Sequence, residues 1–122
     1  MLIEGWNVGW DGDWFGNGEE FSFTQPYPDF DLERVTAHAR ARGVQLIGHH
    51  ETSANAAHYE SQMQAAFALY QRLGVHIVKT GYVSDAAGAR VNAQDGHVHF
   101  AWHEGQEMAR HHLRVIETAA RY

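Results

Sequence analysis

Three short apolar runs along the chain each end in polar side chains, and each comes before a helical pattern. The runs cover residues 2–7, 44–49 and 76–83. Apolar runs of this length that alternate with helical segments are typical of parallel βα units. The pattern therefore predicts an α/β protein with three adjacent parallel strands, placed in the order in which they occur along the chain.

Apolar residues at steps of three and four predict helices over residues 31–42, 55–73 and 102–121. Gly43 and Gly74 follow the first two as helix stops. The middle helix has the clearest apolar stripe: Tyr59, Met63, Ala66, Tyr70 and Leu73. The third is predicted to bury Met108, His112 or Leu113, Val115, Ile116 and Ala119. All three helices are expected on one side of the strands.

The second apolar run passes directly into two imidazoles and a carboxylate, His49, His50 and Glu51. In α/β folds the carboxyl ends of parallel strands carry the chemistry. Lys79 stands at the corresponding end of the third run. Because side chains alternate along a strand, at most one of the two histidines faces the same side as Glu51. We therefore expect His49, Glu51 and Lys79 to converge, together with Glu4 or Trp6.

The chain has 122 residues, about half of the roughly 250 that a (β/α)₈ barrel typically needs. Three βα units alone would leave a parallel sheet open, whereas such sheets are covered on both faces or closed into barrels. We therefore interpret residues 1–122 as a single fragment of a larger domain, a partial (β/α)₈ (TIM) barrel of about three consecutive βα units. A complete small α/β domain is the alternative.

Composition bears on which partners the protein can bind. A net charge of −6 without a basic run argues against a nucleic acid partner, and no segment is apolar for long enough to predict a membrane span. The segment between Gly9 and Pro28 is rich in aromatic side chains with interleaved carboxylates. Such a loop suits sugar rings, which offer apolar faces and hydroxyl edges. Alternatively, the aromatic side chains pack the loop onto the body of the protein.

Four segments of the chain resemble glycoside hydrolase family 97 in their order and spacing. They are Glu4-Gly5-Trp6-Asn7, Pro26-Tyr27-Pro28-Asp29-Phe30-Asp31, His49-His50-Glu51-Thr52 and Val78-Lys79-Thr80-Gly81-Tyr82-Val83. The family contains α-glucosidases and α-galactosidases, largely bacterial. The resemblance implies a catalytic (β/α)₈ barrel with flanking β domains, in which this chain supplies strands two to four. It also implies calcium in the full-length enzyme, an oligosaccharide or α-glucoside substrate, and a periplasmic or extracellular location for the parent protein.

The resemblance also implies roles for individual residues. Glu51 matches the carboxylate that helps to activate water in inverting members, His49 a substrate-binding histidine, and Lys79 a lysine that reaches sugar hydroxyls. Retaining members carry an aspartate nucleophile in the fourth-strand region, where this chain has Gly81. The resemblance therefore favours an inverting, α-glucosidase-like enzyme. The general acid of the family lies on other strands, so we expect the chain alone to be inactive.

Three further residues are candidates for substrate binding. Glu4 on an apolar strand is costly unless it is paired, which favours a place at the site. Trp6 and Asn7 follow it and either line the pocket or hold the adjacent loop. The structural alternatives are that Glu51 only favours the dipole of the following helix and that Lys79 is solvated.

The ten histidines allow a second class of function, a metal-dependent hydrolase. His97, His99 and His103 could surround a zinc ion, as could His49 and His50 with Glu51. No metal ligand is assigned from the sequence, because the first group falls in a predicted loop and helix start. An inert, truncated α/β domain is the third interpretation.

Overall fold

A computed structural model describes all 122 residues and confirms a mixed α/β architecture. Its elements in chain order are α1 (Leu32–Ala41), β1 (Ile47–Glu51), α2 (Ala56–Leu73), β2 (Ile77–Gly81), β3 (Gly88–Asn92), β4 (Val98–Trp102) and α3 (Gln106–Ala119). None of these helices is long and apolar enough to cross a membrane.

Strands β1 and β2 form a two-stranded parallel sheet, as the sequence predicts. In its register His49 lies opposite Lys79 and Glu51 lies opposite Gly81. Since paired residues point to the same side of a sheet, these four share one face, which we call the site face. The other face carries Gly48, His50, Val78 and Thr80, and we call it the helix face.

The first predicted strand, over residues 2–7, is largely wrong. Leu2 makes an isolated parallel bridge to Ile47, and the Ile3 N–H donates to the Ile47 carbonyl at 3.0 Å. Beyond that point Gly5 has φ 70°, a left-handed conformation that interrupts an extended strand. Asn7 then bridges Pro26 in the antiparallel sense. The segment is therefore adjacent to β1, as predicted, but leaves it after two residues.

The helices pack against the helix face of the sheet, as the βα pattern predicts. Leu32 of α1 and Tyr70 of α2 belong to one buried cluster with Leu46, and Val78 packs against the same cluster. Val115 of α3 lies in a second cluster that Val78 also contacts. The site face is therefore left clear of helices.

The helix stop at Gly74 and the apolar stripe of α2 are confirmed. The Asn55 side chain caps α2 by accepting the His58 N–H at 3.0 Å, and Gly74 ends the helix in the left-handed region at φ 75°. Asp31 caps α1 in the same way. The five stripe residues predicted for α2 are all buried: Tyr59, Met63, Ala66, Tyr70 and Leu73.

The antiparallel hairpin of β3 and β4 was not predicted, and it corrects the start of the last helix. Trp102 belongs to β4, and α3 begins at Gln106. The hairpin turns at Asp95 and Gly96, where Gly96 has φ 81°. Its buried residues Ala89 and Val91 cluster with Ala56 and Met108, so the hairpin is held by α2 and α3.

The predicted buried face of α3 is wrong in part. Met108 and Val115 are buried as expected, and the face is completed by His111 and Thr118. Neither member of the predicted pair His112 or Leu113 is buried, and Leu113 and Ile116 are 53% and 65% exposed. The reason is that α3 packs on the hairpin and on α2. These contacts bury a face of the helix that is shifted by one residue from its most apolar face.

Candidate active site

Glu51 is the last residue of β1, and its carboxylate is held by main-chain donors. The side chain is almost completely buried. Its Oε2 accepts the Ser53 N–H at 2.9 Å and the Val83 N–H at 2.8 Å. Hydrogen bonds from N–H groups to an ionised acceptor are among the stronger ones in proteins. The second oxygen, Oε1, is directed towards His49 and Gly81.

Gly81 is the immediate neighbour of this carboxylate across the sheet. A Cβ atom built on Gly81 would overlap Oε1 of Glu51 and would stand 3.3 Å from Nε2 of His49. The space in front of Glu51 and His49 therefore exists because position 81 has no side chain. Any larger residue there would have to displace the carboxylate.

His49 lies between two carboxylates and is 5% exposed. Its Nε2 is 3.9 Å from Oε1 of Glu51, and its Nδ1 is 3.8 Å from Oε1 of Glu4. Burial lowers the pKa of His49 despite the opposing charges of Glu4 and Glu51, with a smaller lowering effect from Lys79. The imidazole is therefore neutral at pH 7. Its buried Nδ1 has no hydrogen-bond partner, so a hydroxyl group or a water is needed to satisfy it.

Lys79 and Glu4 form the outer rim of the same group. Nζ of Lys79 is 3.5 Å from Oε1 of Glu4, and the two side chains are 56% and 48% exposed. An exposed pair of this kind adds little stability, but it places a donor and an acceptor beside the unpartnered His49 nitrogen. The structure thus brings together Glu4, His49, Glu51 and Lys79.

Trp6 and Asn7, the other two predicted substrate-binding residues, have internal partners. Trp6 is 1% exposed, and its Nε1 donates to the Tyr70 hydroxyl at 3.2 Å. Asn7 donates to the Ser22 carbonyl at 2.7 Å and accepts from Nε1 of Trp10 at 3.0 Å. These contacts fix the chain next to the site, and a direct contact of either residue with substrate stays a prediction.

The aromatic loop folds back over the site and onto α2. Phe21 and Phe23 are buried, and the Phe23 N–H donates to Oε1 of Gln62 at 2.9 Å. The ring of Trp10 lies 6.1 Å from the His49 ring, centroid to centroid. Most of the aromatic side chains therefore pack the loop, whereas Trp10 forms part of the wall beside His49.

His50 belongs to the helix face and takes no part in the site. It shares a hydrogen bond of 2.7 Å with the Tyr59 hydroxyl and stacks on the Tyr70 ring at 5.0 Å. Burial, with a smaller effect from His49, lowers the pKa of His50 to about 3. The predicted alternative in which His49, His50 and Glu51 bind one zinc ion is therefore wrong, because His50 points away from the other two.

The second predicted zinc group is not assembled either. His99 pairs with Asp95 at 2.8 Å on the exposed hairpin, and the rings of His97 and His99 are 6.5 Å apart. No group of three or more histidine, aspartate or glutamate side chains is placed to hold a metal ion.

A buried carboxylate, a neutral imidazole and a lysine at the carboxyl ends of parallel strands form a candidate active site, since this edge of an α/β sheet is where binding groups are usually placed. The whole chain, residues 1–122, matches the family model for Glycoside hydrolase 97. The chain belongs to glycoside hydrolase family 97, whose enzymes are glycoside hydrolases, and the resemblance noted in the sequence is confirmed.

Solved structures of a family 97 enzyme from Pseudoalteromonas sp. strain K8 are similar to this chain. One is a complex with acarbose and another is a variant in complex with panose. Each matches with a TM-score of 0.88 and 52% sequence identity. The match covers 98% of this chain and 18% of the Pseudoalteromonas chain. The chain therefore spans less than a fifth of the length of that enzyme.

The main-chain donors of Glu51 could not be found by sequence reasoning. Ser53 and Val83 act through their N–H groups, which every residue except proline possesses. Only the structure marks the turn after Glu51 as unusual. Ser53 has φ 53° there, an uncommon value for a residue other than glycine. Such a conformation persists only where the surroundings fix it, and here both the N–H and the hydroxyl of Ser53 are hydrogen-bonded.

Proposed function

We propose that residues 1–122 are a section of the catalytic (β/α)₈ barrel of an inverting, α-glucosidase-like hydrolase that acts on α-linked glucosides. The parallel pairing of β1 with β2 and the helices on one face support a barrel wall, in which the site face is turned towards the barrel axis. The remaining strands and the flanking β domains belong to the rest of the enzyme.

Glu51 is the general base in this proposal, and the gap at Gly81 is the observation that carries it. Inverting glycosidases need room for a water between the base and the sugar, with their two carboxyl groups roughly 6.5–9.5 Å apart. Retaining enzymes place a nucleophile within about 5–5.5 Å of the acid instead. A glycine directly in front of Oε1 of Glu51 supplies room for the water and no nucleophile.

His49, Lys79 and Glu4 bind sugar hydroxyls in this proposal. A hydroxyl can both donate and accept, so it can satisfy the unpartnered Nδ1 of His49 beside Glu4, 3.8 Å away. Lys79 adds a donor at the rim. The complexes of the Pseudoalteromonas enzyme with acarbose and panose support an oligosaccharide as the substrate class. Trp6 and Asn7 hold the neighbouring segment of the chain. That they also contact the substrate is proposed from the resemblance alone.

The second carboxylate, which would protonate the leaving group, is proposed to lie in the rest of the enzyme. Calcium is part of the proposal by resemblance alone, with its ligands mostly outside this chain, and no step depends on it here. We accordingly propose that the 122-residue chain is inactive by itself. The periplasmic or extracellular location of the parent protein has the same basis.

A chimera tests the role of Glu51. Residues 1–122 replace the matching segment of the Pseudoalteromonas enzyme, to which they are 52% identical. We expect Glu51→Gln to lower kcat by about 10²–10⁴-fold, the usual contribution of general-base assistance, with a smaller change in KM. The matched control is Glu33→Gln, an exposed carboxylate paired with Arg72 on the surface. A Glu51→Gln chimera as active as the control would remove Glu51 from the mechanism.

A further inference from the structure

Main-chain donors fix the orientation of the Glu51 carboxylate. Its Oε2 accepts two N–H groups from different parts of the chain, Ser53 at 2.9 Å and Val83 at 2.8 Å. Ser53 lies only two residues beyond Glu51, so its donor belongs to the same turn. Val83 follows β2, so its donor reaches Glu51 from the neighbouring strand and fixes the carboxylate across the sheet.

Val83 acts through its main chain. Its side chain is 52% exposed and belongs to none of the buried clusters. The residue just before it, by contrast, is firmly anchored: the Tyr82 hydroxyl shares a hydrogen bond of 2.6 Å with Nε2 of His111. Consecutive Cα atoms are about 3.8 Å apart, so fixing Tyr82 also limits where the Val83 N–H can lie.

The anchor continues into the protein through a buried network. Nδ1 of His111, which is fully buried, is 2.6 Å from Oε2 of Glu60. Arg114 binds both oxygens of the same carboxylate, each at 2.9 Å. Burial acts to raise the pKa of Glu60, but the hydrogen bonds from His111 and Arg114 outweigh it and lower the pKa to about 2. Glu60 therefore stays charged and holds His111 in place.

We propose that Tyr82 and Val83 are positioning residues that select the reactive oxygen of Glu51. The His111–Tyr82 hydrogen bond fixes the segment, the Val83 N–H holds Oε2, and Oε1 is left with free lone pairs in front of Gly81. Oε1 is then the atom that accepts the proton of the attacking water. This inference rests on the proposed role of Glu51 as general base.

Replacing one main-chain donor tests the proposal in the chimera. Val83→Pro removes the N–H, whereas the matched Val83→Ala variant retains it. We expect kcat of the proline variant to fall about 10–100-fold, the range expected when a reacting group is misplaced by up to about 1 Å. KM should change by less than about threefold, because no substrate-binding group is altered. The alanine variant should retain a kcat within about twofold of that of the unsubstituted chimera.

Tyr82→Phe provides a second, independent variant in case Val83→Pro does not fold. It keeps the ring and removes the hydroxyl that meets His111. We expect kcat to fall by about 3–10-fold with KM nearly constant, since the segment loosens without losing its donor. A folded Val83→Pro chimera with the kcat of Val83→Ala would overturn the proposal. If the proline variant is unfolded, an unchanged kcat in Tyr82→Phe would overturn it.

The Glu51→Gln chimera separates this inference from the proposed function. If Glu51→Gln is fully active, the general-base role fails and the positioning role falls with it. If Glu51→Gln is impaired and the Val83 and Tyr82 variants are not, only the positioning role fails. A rise in KM at constant kcat in these variants would also overturn the proposal, because it would place the segment in substrate binding.

Discussion

The two faces of the β1–β2 sheet use neighbouring residues for opposite purposes. On the helix face, His50 stacks on Tyr70 and shares a hydrogen bond with Tyr59 inside a closed aromatic cluster. On the site face, His49 is also buried, but its Nδ1 has no partner and its nearest charged neighbours are Glu4 and Glu51. Nε2 of His50 has no hydrogen-bond partner either, so the two histidines differ in their surroundings: His50 is enclosed by aromatic rings, whereas His49 lies beside carboxylates.

Because side chains alternate along a strand, two consecutive residues can serve different purposes, one in the packing of the core and the other in the candidate site. Both imidazoles are neutral at pH 7, because burial lowers the pKa of each. What distinguishes them is their neighbours: Tyr59 and Tyr70 of α2 enclose His50, whereas Glu4 and Glu51 of the candidate site lie beside His49. Perturbing the helix face should therefore change stability, whereas perturbing the site face should change turnover or substrate affinity.

The largest contrast is expected between two glycines, one on each face. In the chimera, Gly81→Ala places a Cβ against Oε1 of Glu51, so we expect kcat to fall about 10²–10³-fold. Gly48→Ala instead places a Cβ against the Tyr70 ring, so we expect a loss of about 1–3 kcal/mol in stability. Steady-state kinetics and chemical unfolding of both variants measure the two effects.

The same two variants can also show that the faces do not have separate roles. If Gly81→Ala lowers stability and leaves kcat intact, the gap at position 81 is a packing feature and not part of the site. If Gly48→Ala lowers kcat as strongly as Gly81→Ala does, the two faces are not functionally separate.

The contrast also explains how much of the fold could be predicted. The steps of three and four in α2 and the alternation of His49 with His50 depend on local periodicity, and the structure agrees with both. The β3–β4 hairpin depends on a pairing across the chain. Its signals, alternation in β4 and Asp95 before Gly96 at the turn, were present but overlap an apolar pattern that also suits a helix.

The free energy of unfolding should depend on pH through His50. The pKa of His50 is about 3 in the folded protein, against 6.5 as the ordinary value. The unfolded chain therefore binds more protons between these values, and stability falls as the pH drops below about 6.5. From pH 7 to pH 5, His50 should contribute a loss of about 2 kcal/mol. Chemical unfolding of the 122-residue chain measures it.

His50→Phe is the matched variant, because it keeps an aromatic ring and removes the titrating group. Its free energy of unfolding should decrease less from pH 7 to pH 5 than that of the unsubstituted chain, by about the same 2 kcal/mol. The pKa values of His49 and His112 are also lowered, but these groups are common to both proteins. Equal pH dependence in the two proteins would contradict the description of the helix face.

The smallest of these effects is expected for substrate binding by His49. In the chimera, His49→Phe keeps a ring but removes the nitrogen that would satisfy a sugar hydroxyl, so we expect KM to rise about tenfold, the equivalent of one net hydrogen bond. His97→Phe, at an exposed position of the hairpin, is the control. A KM for His49→Phe equal to that of the control would exclude His49 from substrate binding.

The candidate site was predictable to the extent that it follows from strand ends. Glu51 and Lys79 could be chosen because polar residues stop two apolar runs, and the parallel register brings those ends together. Trp6 could not be placed, since an aromatic side chain after an apolar run suits a pocket wall and a core equally well. Its burial against Tyr70 depends on α2, which is distant in sequence.

The stereochemistry of hydrolysis is the sharpest test of whether Glu51 activates a water in front of Gly81. Glu51 and Gly81 of the chimera both come from this chain, so the anomer that forms first depends on these residues. Proton NMR of a fresh digest of an α-glucoside shows which anomer of the sugar forms first, before mutarotation. We expect the β-anomer, formed by attack of a water activated by Glu51. The α-anomer formed first would contradict this expectation, because retention requires a nucleophile in place of that water.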